Sequence, residues 1–269
     1  MEFLSELRDR NAVLFWFGLA CLAFAGVCAL LALITDVRVF NVSAWIKPFK
    51  FSVSIGLFAW TMAWYLRYLP AYDHRAFDWT VVLLFGFEIV YIAWRAGRGE
   101  LSHFNQENGF STVMYALMGL AAAVVTAWTG YIGVLFFTGK VVPLEAHYLW
   151  AIRAGILLFV VFGFEGFLMG SRLSHTVGGP DGTPGLPLLH WSFTHGDLRA
   201  AHFVGMHALQ LLPLLAHYLL RSTWAVAVVA VLYAAVAVVV LVLALQGKPV
   251  VPRSIVPVLG EARSSSGAR

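Results

Sequence analysis

Apolar residues run along this chain in seven blocks, each about the length of a membrane crossing, with shorter polar stretches between them. The blocks cover 12–34, 45–68, 77–97, 110–137, 145–171, 198–220 and 223–246. A helix rising 1.5 Å per residue needs about 20 residues to cross a hydrocarbon core roughly 30 Å thick. The pattern therefore predicts an all-α fold: a multi-pass transmembrane bundle of seven helices, forming one domain over 1–246. The remainder, 247–269, holds Pro249, Pro252 and a Ser/Gly/Arg end, and reads as a disordered polar tail. Residues 1–11 read as a short polar leader. The first block is too long for a signal-peptide core and lacks a clear cleavage site, so it is expected to stay as a helix.

Seven crossings place the connections 35–44, 98–109 and 172–197 at one end of the bundle, here called the looped end. The short connections 69–76, 138–144 and 221–222 lie at the other, tight end with the N-terminus. The longest link has Gly178, Gly179, Pro180, Gly182, Pro184, Gly185 and Pro187, with Leu186, Leu188, Leu189 and Trp191 to pack down. Turn formers that dense, beside apolar anchors, predict an ordered cap rather than a slack loop.

Composition agrees with the pattern. The chain is 60% hydrophobic and 12% charged, with mean hydropathy +0.79, whereas soluble domains are about 25% charged. The lipid bilayer is the expected partner. The net charge of +4 comes without a basic run that would track phosphates, so no nucleic-acid partner is expected. Lysines and arginines are nearly balanced between the two ends, so charge does not set the orientation. The expected location is a bacterial cytoplasmic (inner) membrane, with the tight end cytoplasmic because the elaborated face suits an exported side. Cys21 and Cys28 share a face of the first block and are read as packing residues.

Ionisable residues inside such blocks are costly and usually mark function. Counted from the looped end, Arg95 lies about 3 Å deep, Lys50 and His202 about 6 Å, Glu165 about 9 Å, and Glu88 and His207 about 13 Å. Six of the nine histidines (103, 175, 190, 195, 202 and 207) fall at this end or in this half. Asp197 and Arg199 open the sixth block. The candidate catalytic residues are therefore Glu88, Arg95, Glu165, Asp197 and Arg199, with a glutamate expected to pair with an arginine or a histidine. The bland alternative is that these charges only hold helices in register.

Three chemistries compete. A metal site, with iron or zinc, would draw on His202, His207, His103, Glu88 and Glu165, since imidazole and carboxylate suit such ions. His202 and His207 have the HxxxxH spacing seen in membrane desaturase-type di-iron enzymes. Positions five apart diverge by about 140° around a helix, however, and HxxHH boxes are absent. A b-type haem would use His202 and His217, fifteen apart on one helix, with His147 at the depth of His217 and a loop partner such as His103 or His195 for His202. Proton-coupled transport, or binding of a small anionic or lipid-like molecule, would use Glu88, Glu165 and His207 for protons and Arg95 with Arg199 for the anion.

The segments WIKPFKFSVSIGLFAW, RGELSHFN, SHTVGGPDGTPGLPLLHWS and GDLRAAHFVGMHALQ resemble a family of uncharacterised bacterial multi-pass membrane proteins, over 41–220. The resemblance implies a seven-helix membrane fold and brings no activity. A metal- or haem-dependent membrane redox protein is the first expectation, and a proton-coupled transporter or anion-binding protein the second.

Overall fold

A computed structural model describes residues 2–40 and 42–255. Helices account for most of it: α1 (Glu2–Arg10), α2 (Ala12–Ile34), α3 (Ile46–Leu66), α4 (Arg75–Gly97), α5 (Gly109–Thr138), α6 (Ala146–Glu165), α7 (Phe167–Arg172), α8 (Leu198–Tyr218) and α9 (Thr223–Leu245). The all-α class holds, and each apolar block coincides with a helix. The fifth block is divided at Gly166 into α6 and α7. Two small ribbons decorate the looped end, β1 (Arg38–Val39) with β2 (Val42–Ser43) and β3 (Thr176–Val177) with β4 (Gly196–Asp197).

The leader is not a polar strand of chain. It forms α1, which buries Leu7 completely and stacks Phe3 on Trp64 of α3. Asn11 then caps α2 by accepting the Leu14 N–H at 3.0 Å, the usual answer to an orphaned helix donor. Residues 247–255 continue against the body: Lys248 N donates to Leu243 O, and Val250 packs beside Phe162, Ala200 and Val240. The rest of the expected tail, 256–269, lies outside the described residues.

Five stretches are long and apolar enough to cross a membrane: Ala12–Ile34, Arg75–Gly97, Gly109–Thr138, Ala146–Arg172 and Thr223–Leu245. The helices α3 and α8 have the length, 21 residues each, but fall short in apolarity. They also bury a larger share of their residues than the apolar helices do. In α3 ten of 21 residues are buried, against four of 23 in α9. The contacts explain this: α3 packs on α2 and α4, and α8 on α6 and α9. Polar helices take the inside and apolar ones the outside, where Leu33, Leu83, Val90 and Val231 stand exposed.

Two close approaches hold the centre. Gly155 of α6 comes against the Ala208 carbonyl of α8, where an added Cβ would sit 2.8 Å from the oxygen. Gly205 of α8 lies against the Phe162 ring of α6 with no room for a side chain. Small residues let helix backbones approach within van der Waals contact. Between α3 and α8, Tyr65 answers a backbone problem. Pro213 has no N–H, so the Leu209 carbonyl four residues earlier loses its helical donor. The Tyr65 hydroxyl donates to that oxygen at 2.6 Å.

The long connections meet at one end of the bundle. Val37 packs on Gly99, Phe40 on Gly182 and Gly178 on Gly247. At Gly182 two demands coincide, a φ of +85° and the Phe40 side chain pressed against the position, and only glycine meets both.

Candidate functional site

The cap, 173–197, is ordered from its ends inward. Leu173 terminates α7 in the left-handed conformation, and β3 pairs with β4 so that Thr176 faces Asp197. Within this frame a short hairpin forms, with Leu186 N donating to Trp191 O at 2.9 Å and Phe193 N to Pro184 O at 3.1 Å. Asp181 anchors the first half by accepting from Thr176 N at 3.0 Å and the Ser174 hydroxyl at 2.8 Å.

Asp197 is the hub. It is buried, caps α8 through Arg199 N, and accepts from Ser192 N at 3.2 Å. The Arg199 guanidinium grips both its oxygens, at 2.9 and 2.7 Å, and donates to His190 O at 2.5 Å. His175 sits between the two aspartates, its Nδ1 3.4 Å from Asp181 and 3.7 Å from Asp197. Burial, helped by the Arg199 charge, pushes His175 down to about 4 despite both carboxylates.

That value fixes a sign. A histidine depressed in the folded state takes up its proton more readily when the cap is open, so acid favours opening. Cap stability is expected to be level above pH 7 and to fall as pH drops from about 6.5 towards 4. Proteolysis or hydrogen exchange of 173–197 measured across that range tests this. The same acid sensitivity in His175→Gln would show that another group is responsible.

Beneath the cap lies the N-terminus of α3. Trp45 gives it no side-chain cap, so its first N–H groups point outward as an anion-attracting end. Lys50 Nζ donates to Leu189 O of the cap at 3.2 Å. Lys47 is packed within electrostatic reach of Lys50, Arg199 and Asp181, yet makes no hydrogen bond and no ion pair among the described residues. Two polar atoms close by in the chain, Ser43 Oγ and Trp45 Nε1, are buried without a partner. His103, from the connection after α4, closes this side against Phe51 and Tyr115. Burial, then the Lys47 charge, hold it well below the ordinary imidazole value.

The other expected site residues go to separate places. Arg95 does not reach across to a glutamate; it turns into its own following loop, pairing with Glu100 at 2.7 Å and donating to Leu101 O at 3.1 Å. Glu88 is buried, with one carboxylate oxygen lacking any partner. Glu165 meets His202 at 3.6 Å, the one glutamate–histidine pairing of the kind expected. His202 Nδ1 donates to Phe162 O at 2.7 Å. His207 Nδ1 donates to Phe203 O at 2.7 Å and its ring lies on the Phe203 ring.

The metal set is therefore not gathered. Among the described residues no three His, Cys, Asp or Glu side chains come together as a group fit for a metal ion. His202 and His207 diverge as five-residue spacing on a helix dictates, and His103 is enclosed by aromatic rings. The haem reading fares no better. His217 is exposed, with its ring beside Tyr148 and Tyr218, and His147 stands on α6 without a ring contact or hydrogen bond to it. Cys21 and Cys28 are free and buried, as packing residues.

Depth along the sequence places Lys50 in the looped half, but neither it nor Lys47 is among the candidate site residues read from sequence; two cations in one helical turn with no acid three or four residues away are the available signal. At the tight end Asp78, 1% exposed, accepts from Asn11 at 2.9 Å and from His74 at 2.7 Å. An acid in the first turn of a helix gives no hint of burial. Compared with family models, with curated proteins and with solved structures, the chain matches none.

Proposed function

We propose that this chain is a seven-span protein of a bacterial inner membrane whose looped end binds a small anionic or lipid-like ligand through a carboxylate or phosphate group. With 21 residues each, α3 and α8 reach about 31 Å, enough to span as an inner pair shielded by the five apolar crossings. The observation that carries the ligand reading is Lys47, a half-buried ammonium that makes no hydrogen bond and no ion pair among the described residues. Near it in space or along the chain are Lys50, Arg199, two unpartnered donors and an open helix N-terminus. The nearby carboxylates are already committed, Asp197 to Arg199 and Asp181 to Thr176 and Ser174. A partly buried cation whose nearest carboxylate, Asp181, is bonded elsewhere is under-compensated, and an arriving anion offsets that cost. The dispersed histidines and glutamates weigh against the redox alternative.

The test uses the protein in nanodiscs of zwitterionic lipid. Phosphate, acetate and a short-chain phosphatidic acid are titrated while thermal unfolding is followed, with Lys47→Met beside the wild type. One of these anions is expected to raise the wild-type Tm with saturation, since a ligand at 100 times its Kd stabilises by about 2.7 kcal/mol. Lys47→Met is expected to lose that rise. Equal behaviour of the two proteins towards all three anions would sink the proposal.

A further inference from the structure

We propose that the turn joining α6 to α7 is a binding site for a single positive charge, a proton or a sodium ion, held on Glu165. This site is separate from the anion site and does not depend on it.

Glu165 is 8% exposed, and neither of its carboxylate oxygens receives a hydrogen bond. The backbone beside it is irregular. Gly166 N bonds to Gly163 O at 3.3 Å and Met169 N to Gly166 O at 3.1 Å, so the ladder tightens to three-residue steps. That shift frees the Phe162 carbonyl, which His202 Nδ1 then takes at 2.7 Å. The nearest ionisable group to Glu165, 3.6 Å away, has thus already committed its donor to a backbone oxygen.

No fixed cation replaces it. Facing this turn from α5 are Thr126, against Gly163, and Tyr115, near Gly170. On α8 the ionisable groups are Arg199, whose guanidinium is bonded to Asp197, His202, His207, bonded to Phe203 O, and His217 and Tyr218 at the far end. In α9 the ionisable group is Tyr233, whose hydroxyl donates to Val204 O at 2.5 Å. Arg172 closes α7 and is exposed. A buried carboxylate without donors or counter-charge is expensive in an apolar setting, and a positive charge taken from solution offsets that cost. Irregular backbone carrying an acid at membrane depth is where transporters hold their coupling ions. His202, 3.6 Å from the carboxylate, has a 29% exposed side chain, so the group next to Glu165 reaches the protein surface.

The proton and the sodium ion share one chemistry and are separated by two measurements on the wild type in nanodiscs. Thermal unfolding is followed against sodium chloride with choline chloride as control. Infrared spectra are recorded across pH in choline for a buried carboxylic C=O band, in the wild type and in Glu88→Gln. Sodium is the occupant if sodium alone raises the Tm and Glu165→Gln loses at least tenfold in apparent affinity. The proton is the occupant if sodium has no effect and the band survives in Glu88→Gln but vanishes in Glu165→Gln. Should Glu165→Gln fail to fold, Glu165→Asp, which keeps the carboxyl, shifts the same signal instead. A wild type with no sodium-specific stabilisation, and no band surviving in Glu88→Gln, overturns the proposal.

Discussion

Replacing Asp197 with alanine is expected to release the cap and to lower stability by on the order of 3–5 kcal/mol, the range for removing one member of a buried charge pair. Asp197 is 1% exposed and its two oxygens serve Ser192 N, Arg199 N and the Arg199 guanidinium. Without it, Arg199 is left beside Lys47 and Lys50 with a single carboxylate, Asp181, in the neighbourhood. The alanine variant also leaves α8 without its N-cap, a loss worth about 1 kcal/mol by itself. Asp197→Asn keeps an acceptor for Arg199 N and removes only the charge, so it should fall between the alanine variant and the wild type. Thermal unfolding gives the ranking, and limited proteolysis shows whether cuts concentrate within 173–197. An alanine variant with wild-type Tm and an uncut cap would mean that the hairpin and the β3–β4 ribbon hold the segment unaided.

Helix positions were legible because a long apolar run has few other ways to satisfy its backbone in lipid. The two polar blocks were legible as helices too, and their polarity was the sign that they lie inside. Depth counting placed Lys50, Arg95, Glu165 and His202 in one half of the bundle. It did not show that they fall into separate groups, because depth along a helix says nothing of which neighbour each face meets. Arg95 pairs with Glu100, five residues on, and that depends on how the chain turns after α4. His202 looked like a metal or haem ligand; it instead donates to a carbonyl freed by the turn at Gly166, a local irregularity with no sequence mark beyond three glycines. Tyr65 is the same case at Pro213, where the proline announced an orphaned carbonyl but not the residue that would satisfy it.

Gly205→Leu is expected to have the largest effect of any glycine replacement in the α6–α8 contact. A Cβ at 205 would overlap the Phe162 ring, so even Gly205→Ala must displace that ring, and leucine adds three more carbons. Overpacking a filled contact costs typically 1–3 kcal/mol and sometimes more. Gly26→Ala on α2 is the control, since nothing lies within 4 Å of its added Cβ. There the only change is helix propensity, which favours alanine by about 0.8–1.0 kcal/mol. The two alanine variants should therefore move Tm in opposite directions, and equal shifts would contradict the packing assigned to α6 and α8. The consequence reaches the proposed ion site, because Phe162 supplies the carbonyl that His202 holds. Moving Phe162 disturbs His202, and with it the one ionisable neighbour of Glu165. Gly205→Ala, if it still folds, should weaken the Glu165 signal more than Lys47-dependent anion binding, since Phe162 acts on Glu165 through His202, whereas its link to the cap is the packing of Trp191. Loss of both signals together would instead mark a general loosening of the bundle.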